Sequence, residues 1–271
     1  MSTSYRFPLA IQTVLPENYR DDAQFQQYMR TLQELGFTGV ELNMAHPDRF
    51  DCDAVVTFLQ QFNLKLTMFA SGLTAKTYGL SLSSATPRIR RSAIDKCREI
   101  IDFVAGSGAG IIFGFFKGGA VPDVQDARAR FRESISQLAP QAQEKQVKLL
   151  VEATNRYESS VANSLEDTVE LIRDLENPYL RILPDTYHMN IEEADQFAAL
   201  TKYADYYDSV HVSDNNRFFP GFGAIRFQEI INHLNAQGYT GGLAIEGNIK
   251  DNFVDDVKRS TAHLAPLVTG E

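Results

Sequence analysis

The chain has no tryptophan and only two cysteines, Cys52 and Cys97, among its 271 residues. Two thiols cannot form the set of bridges on which small secreted domains depend, so two free cysteines in a reducing compartment are expected. No apolar run approaches the ~20 residues of a membrane span. Met1 to Pro8 lacks a charged stretch followed by an apolar one, so no secretory leader is expected there. Basic residues are in deficit: 26 Lys and Arg stand against 35 Asp and Glu, a net charge of −9, which argues against a nucleic-acid backbone as partner. Serine/glycine linkers, low-complexity tracts and charge runs are also missing, so nothing marks a domain boundary. What remains, 44% hydrophobic and 23% charged, fits a soluble cytoplasmic protein with one domain over residues 1–271. A chain of this length can bury one large core without staples.

Short apolar runs alternate with longer amphipathic ones about eight times. Candidate strands are 9–12, 39–43, 64–70, 110–116, 147–153, 180–185, 209–213 and 242–247. They are apolar on both faces, as in a parallel sheet covered by helices. Between them the period is helical. In 23–35, Phe25, Tyr28, Met29, Leu32 and Leu35 form one stripe, and Gly36 follows where a helix end is expected. Helices are also expected over 227–235 and 251–264. The fold class that follows is α/β, a single (β/α)8 barrel of ~250 residues, with its active site at the C-terminal mouth of the strands. The longest irregular stretches, 71–87 and 214–224, both follow strands and belong at that mouth.

Four of the apolar runs end in a metal-binding side chain: Glu152, Asp185, His211 and Glu246. Their separations of 33, 26 and 35 residues match one strand-plus-helix repeat, so a barrel would converge all four on one point. Three carboxylates and an imidazole suit Mn²⁺, with Mg²⁺ or Co²⁺ as alternatives, rather than structural zinc. Each residue alone has a plainer explanation. Glu152 could be a buried salt bridge, Asp185 a helix cap and His211 a hydrogen-bonded core residue. Their common spacing decides for the ligand set. Glu152 and Glu246 would face each other across the mouth, as a reversible proton shuttle at a carbon centre requires. His188, three residues after Asp185, is placed over the mouth as a substrate contact. Arg217 leads into a Pro/Gly-punctuated loop that can aim a guanidinium at an oxygen-rich ligand. Turn chemistry is enough to account for Asp214-Asn215-Asn216. Lys117, just past the fourth strand, is expected to be a solvated loop lysine, with a contact to a distal phosphate or carboxylate of the substrate as the alternative.

Three segments, Glu152–Glu158, Asp185–Glu193 and His211–Arg217 with Pro220–Gly223, resemble the xylose-isomerase-like TIM-barrel superfamily, and within it the ketose 3-epimerases (the D-tagatose/D-psicose 3-epimerase group). The resemblance implies that Glu152, Asp185, His211 and Glu246 hold one divalent metal that chelates the C2 carbonyl and C3 hydroxyl of a ketose. It implies that Glu152 and Glu246 are catalytic, exchanging the C3 proton through a cis-enediolate. Glu158, His188 and Arg217 would hold the O1–O3 end. The chain departs from the family in having no indole to wall the sugar, a place expected for Phe115, Phe116 or Phe69. It also has Ala153-Thr154 where Pro-Leu is usual.

The expected partners are a small sugar and further copies of the chain in a homo-oligomer (dimer or tetramer), with neither nucleic acid nor membrane. Aldose–ketose isomerisation and dehydration of a keto-polyol would use the same site. Abasic-site endonucleases share the fold, but they resemble a three-metal cluster with extra His and Asp ligands and a basic groove. Only five histidines are present here (His46, His188, His211, His233 and His263), and the net charge is negative. A non-catalytic sugar-binding barrel would have no use for two opposed glutamates.

Overall fold

The computed structural model describes residues 5–268, so the first four and last three residues of the expected 1–271 domain, and half of the Met1–Pro8 segment, lie outside the described residues. Strand and helix alternate along the chain. The strands are β1 (Leu9–Val14), β2 (Gly39–Asn43), β3 (Lys65–Ala70), β4 (Gly110–Phe113), β5 (Leu149–Glu152), β6 (Leu180–Leu183), β7 (Ser209–Val212) and β8 (Gly242–Ile245). The helices are α1 (Ala23–Glu34), α2 (Cys52–Gln60), α3 (Gly72–Tyr78), α4 (Pro87–Val104), α5 (Val124–Lys145), α6 (Leu165–Ile172), α7 (Thr186–Glu192), α8 (Gln196–Lys202), α9 (Phe227–Ala236) and α10 (Phe253–Val268).

All eight strands are parallel, in the order β6-β5-β4-β3-β2-β1-β8-β7. The seam between β6 and β7 is closed by a parallel bridge between Asp185 and His211, and by the His211 N–H donating to the Pro184 carbonyl at 2.8 Å. The barrel therefore closes through two residues of the expected metal set.

Local chemistry explains the elements. Asp22 accepts from the N–H of Phe25 and starts α1, which buries Phe25, Met29 and Leu32. Each such side chain contributes about 1.5–3 kcal/mol of transfer free energy. Inside the barrel, Met68, Ile112, Leu150 and Leu183 pack together as a small apolar plug. That plug is the floor on which the polar mouth rests.

Three differences from the sequence expectation have physical causes. The stretch 71–87 is not irregular: it contains α3, stopped by Gly79 in the left-handed region at φ 62°. The fourth strand ends at Phe113 because Phe115–Lys117 winds into a 3₁₀ turn. Asp185 and Glu246 sit just past the last regular residues of β6 and β8, Leu183 and Ile245. Among the described residues no helix is long and apolar enough to cross a membrane.

Candidate active site

The four strand-end residues converge. One ligand atom from each of Glu152, Asp185, His211 and Glu246 lies within 4.8 Å of all the others, and Glu152, Asp185 and His211 are buried. His211 Nδ1 is 2.8 Å from Glu246 Oε2, 3.6 Å from Glu152 Oε1 and 3.9 Å from Asp185 Oδ2. Asp185 does cap a helix, as its plainer reading held: Oδ1 accepts from the N–H groups of Tyr187 at 2.7 Å and His188 at 3.4 Å. Its other oxygen is thereby turned into the cluster, so capping and clustering are compatible.

The cluster has the properties of a cation site. Glu152 Oε1 is buried and has no hydrogen-bond partner, which is costly for a carboxylate unless an ion is bound. Gly114 admits that carboxylate, because a Cβ there would collide with Glu152 Oε2. The donor set, three carboxylates and one imidazole, suits a hard divalent ion. These residues fit a metal.

Arg217 is drawn into the same cluster. Its Nη1 donates to Asp185 Oδ2 at 2.6 Å and to Ser213 Oγ at 2.9 Å, and Nη2 lies 2.8 Å from Glu246 Oε2. Its backbone adopts φ 62°, a strained conformation for a residue with a side chain. The loop sustains that strain through the buried Asp214 carboxylate, which accepts from the N–H groups of Gly221, Gly223 and Ile225 at 3.0, 2.8 and 2.9 Å. Turn chemistry at Asp214 is therefore what builds the platform for Arg217.

The two glutamates differ electrostatically. Burial pushes the Glu152 carboxyl up, Glu246 pushes it further, and His211 and His188 offset only part of this. Burial also pushes Glu246 up, but Arg217 and then His211 outweigh it and hold that carboxyl well below the usual range. Burial pulls the His211 imidazole down, but Glu41, Glu246 and Glu152 together outweigh it and raise the ring well above its ordinary value.

His188 lies on α7, buried beside Glu152, with Nε2 3.8 Å from Glu152 Oε1. Its Nδ1 accepts the backbone N–H of Asn155 at 3.1 Å, so in the neutral ring Nε2 carries the proton toward the pocket. Glu158 is exposed at the rim and accepts from the Asn155 side-chain amide at 3.2 Å. A cavity of about 620 Å³ is bordered by Glu152, Glu158, His188, Arg217 and Glu246. Every site residue expected from the sequence is in this cavity wall or directly beneath it.

Of the three phenylalanines considered as sugar walls, Phe115 borders the cavity and is 47% exposed, whereas Phe69 and Phe116 are core residues. Lys117 is a correction: it is neither solvated nor at the substrate's distal end, but completely buried. Its Nζ donates to the carbonyl oxygens of Glu152 and Ala162, tying the end of β5 to the loop that carries Asn155 and Glu158. Burial pulls its pKa down to about 7 from an ordinary 10.5, against the attraction of Glu152 and Glu158. Between those values the unfolded chain holds the proton that the folded protein gives up, so stability falls as pH drops from 10.5 toward 7. Lys117→Met should flatten this dependence, as denaturant unfolding at several pH values across the interval would show; an unchanged slope contradicts the assignment.

A model of the family described as xylose isomerase-like TIM barrel matches residues 29–266. The chain belongs to that family. It is 27% identical over 243 residues to a ketose 3-epimerase of Arthrobacter globiformis, covering 88% of this chain and 83% of that one. It is 26% identical over 253 residues to a 3-dehydro-D-guloside 4-epimerase of Escherichia coli, covering 88% and 90% of the two chains. A crystal structure of D-psicose 3-epimerase with D-tagatose from Clostridium cellulolyticum superposes with a TM-score of 0.80 at 21% identity, over 97% of this chain and 99% of that one.

Sequence reasoning missed Ser213, whose Oγ lies 3.4 Å from Asp185 Oδ1, and a charged residue in contact with the cluster. Glu41, on β2, is buried with Oε2 2.9 Å from His211 Nε2. The available signal was a carboxylate in the middle of an otherwise apolar strand.

Proposed function

We propose that this protein is a sugar epimerase of the ketose 3-epimerase type, which inverts the carbon beside a ketone. It uses one divalent metal, foremost Mn²⁺, held by Glu152, Asp185, His211 and Glu246. The carrying observation is the pair of glutamates from β5 and β8, both in the metal-type cluster and both in the wall of one cavity. Simple sugar binding needs no such pair. The names of the 27% and 26% identical relatives support the same class of reaction.

When bound, the cation supplies Lewis-acid polarisation of the ketone, which acidifies the adjacent C–H. The protein's own residues do the rest. One glutamate takes the proton from the carbon beside the carbonyl, giving an enediolate, and the other returns a proton to the opposite face. His188 presents its Nε2–H, Arg217 its guanidinium and Glu158 an acceptor to the sugar oxygens around that carbon. Phe115 walls the sugar on the rim side, where an indole is absent.

The 26% identical relative named as a 3-dehydro-D-guloside 4-epimerase gives one specific second reading, epimerisation beside a ring ketone of a glycoside. The same residues serve both. Incubating Mn²⁺-loaded protein with free ketoses and with 3-keto-glycosides, and identifying products by proton NMR, tests the proposal. A product epimeric at the carbon beside the ketone is expected. An aldose, or a product that has lost water, contradicts it in favour of isomerisation or dehydration.

Arg217 gives a more local test. Loss of a charge-assisted hydrogen bond costs ~1.5–3 kcal/mol, so Arg217→Ala should lower kcat/KM roughly ten- to a hundredfold on the accepted sugar. Metal content measured on the same preparation should persist. A variant that loses its metal, or whose kinetics are unchanged, contradicts the assigned role.

A further inference from the structure

Glu41 is outside the four-residue cluster, on the far side of His211. It is 1% exposed, and a carboxylate so deep needs donors. It has two. His211 Nε2 lies 2.9 Å from its Oε2, and the Gln12 side-chain amide donates to the same oxygen at 3.5 Å.

A chain of hydrogen bonds from the cavity wall fixes the direction of these contacts. The backbone N–H of Leu73 can only donate, and it does so to Asn43 Oδ1 at 3.0 Å. Asn43 therefore has its amide nitrogen left to donate to Gln12 Oε1, at 2.8 Å. That leaves Gln12 Nε2 facing Glu41 as a donor, with Glu41 accepting. An ionised carboxylate has only acceptors, so the ring proton of His211 is held on Nε2. Nδ1 is the ring nitrogen on the cluster side, 3.6, 3.9 and 2.8 Å from Glu152, Asp185 and Glu246, so with Nε2–H committed to Glu41 it is the one nitrogen left to ligate a cation there.

We propose that Glu41 is a positioning residue for the metal centre: it fixes the tautomer and ring plane of His211, so that Nδ1 is the ligating nitrogen, and Gln12 and Asn43 hold Glu41 in turn. This rests on the metal reading above. It goes beyond that reading in assigning the ligating atom and the residues that aim it. Carboxylates behind metal-binding histidines typically change metal affinity 10–100-fold when removed.

The test is Mn²⁺ affinity by titration calorimetry for the unmodified protein, Glu41→Leu and Glu41→Gln, with histidine ¹⁵N NMR of the unmodified protein loaded with diamagnetic Zn²⁺. Affinity should fall about 10–100-fold in Glu41→Leu. Glu41→Gln, whose amide oxygen still accepts from Nε2–H, should recover most of that loss. A residue that merely fills space would lower thermal stability without this difference in affinity. The NMR spectrum should show metal on Nδ1 and a proton on Nε2 of one histidine, an outcome independent of how either variant folds. Unchanged affinity in Glu41→Leu, or metal on Nε2, overturns the proposal alone. Failure of the unmodified protein to bind Mn²⁺ overturns it together with the metal assignment.

Discussion

Replacing Glu152 or Glu246 by glutamine is expected to lower kcat by about 10²–10⁴-fold, the usual contribution of a positioned acid or base. The amide keeps an oxygen donor in each place, so part of the metal and sugar binding should survive. The expectation rests on shared placement in one cluster with different surroundings. The two carboxyls come from β5 and β8, lie in one cluster, and experience different surroundings, Arg217 beside one and an unpartnered Oε1 on the other. Steady-state kinetics with metal analysis of the same preparations checks this. Turnover near that of the unmodified protein in either variant would remove the two-carboxylate shuttle.

Stripping the metal should abolish turnover, and restoring Mn²⁺ should recover it. Alanine at Glu152, Asp185, His211 or Glu246 should each strongly reduce metal content, because the remaining donors cannot complete the shell. Stability should respond too. Three carboxylates share this site with a single guanidinium and an imidazole, and Glu152 Oε1 has no donor at all. A cation that binds only the folded chain adds RT ln(1 + [L]/Kd), about 2.7 kcal/mol at a hundredfold excess over Kd. The thermal midpoint should therefore rise with added Mn²⁺, and the rise should vanish in Asp185→Ala. Full metal occupancy in three or more of the alanine variants would contradict the ligand assignment.

The barrel and its metal-type cluster were readable because both are periodic. Parallel strands buried on two faces are short apolar runs, and a charged residue at the end of such a run stands out, as Glu152 does after Leu149-Leu150-Val151. What sequence could not supply depends on contacts between distant segments. Lys117 looked like a loop lysine because its partners, the carbonyls of Glu152 and Ala162, are 35 and 45 residues away. Glu41 drew no reading, because its partner is far off in the chain: only barrel closure brings it to His211, 170 positions on. The positive φ of Arg217 has no local signature, since it is imposed by the Asp214 carboxylate gathering N–H groups from residues 221, 223 and 225. Phe115 parted from Phe116 because a 3₁₀ turn sends one ring to the cavity and the other to the core.

The most direct test of the central claim is the position of deuterium after turnover of a ketose by the Mn²⁺-loaded protein in D₂O. The account predicts exchange of the single hydrogen on the carbon that is inverted, appearing in the epimeric product and, through the reverse reaction, in recovered substrate. Deuterium at C1 or C2 of an aldose, or inversion with no solvent deuterium at the inverted carbon, would contradict it.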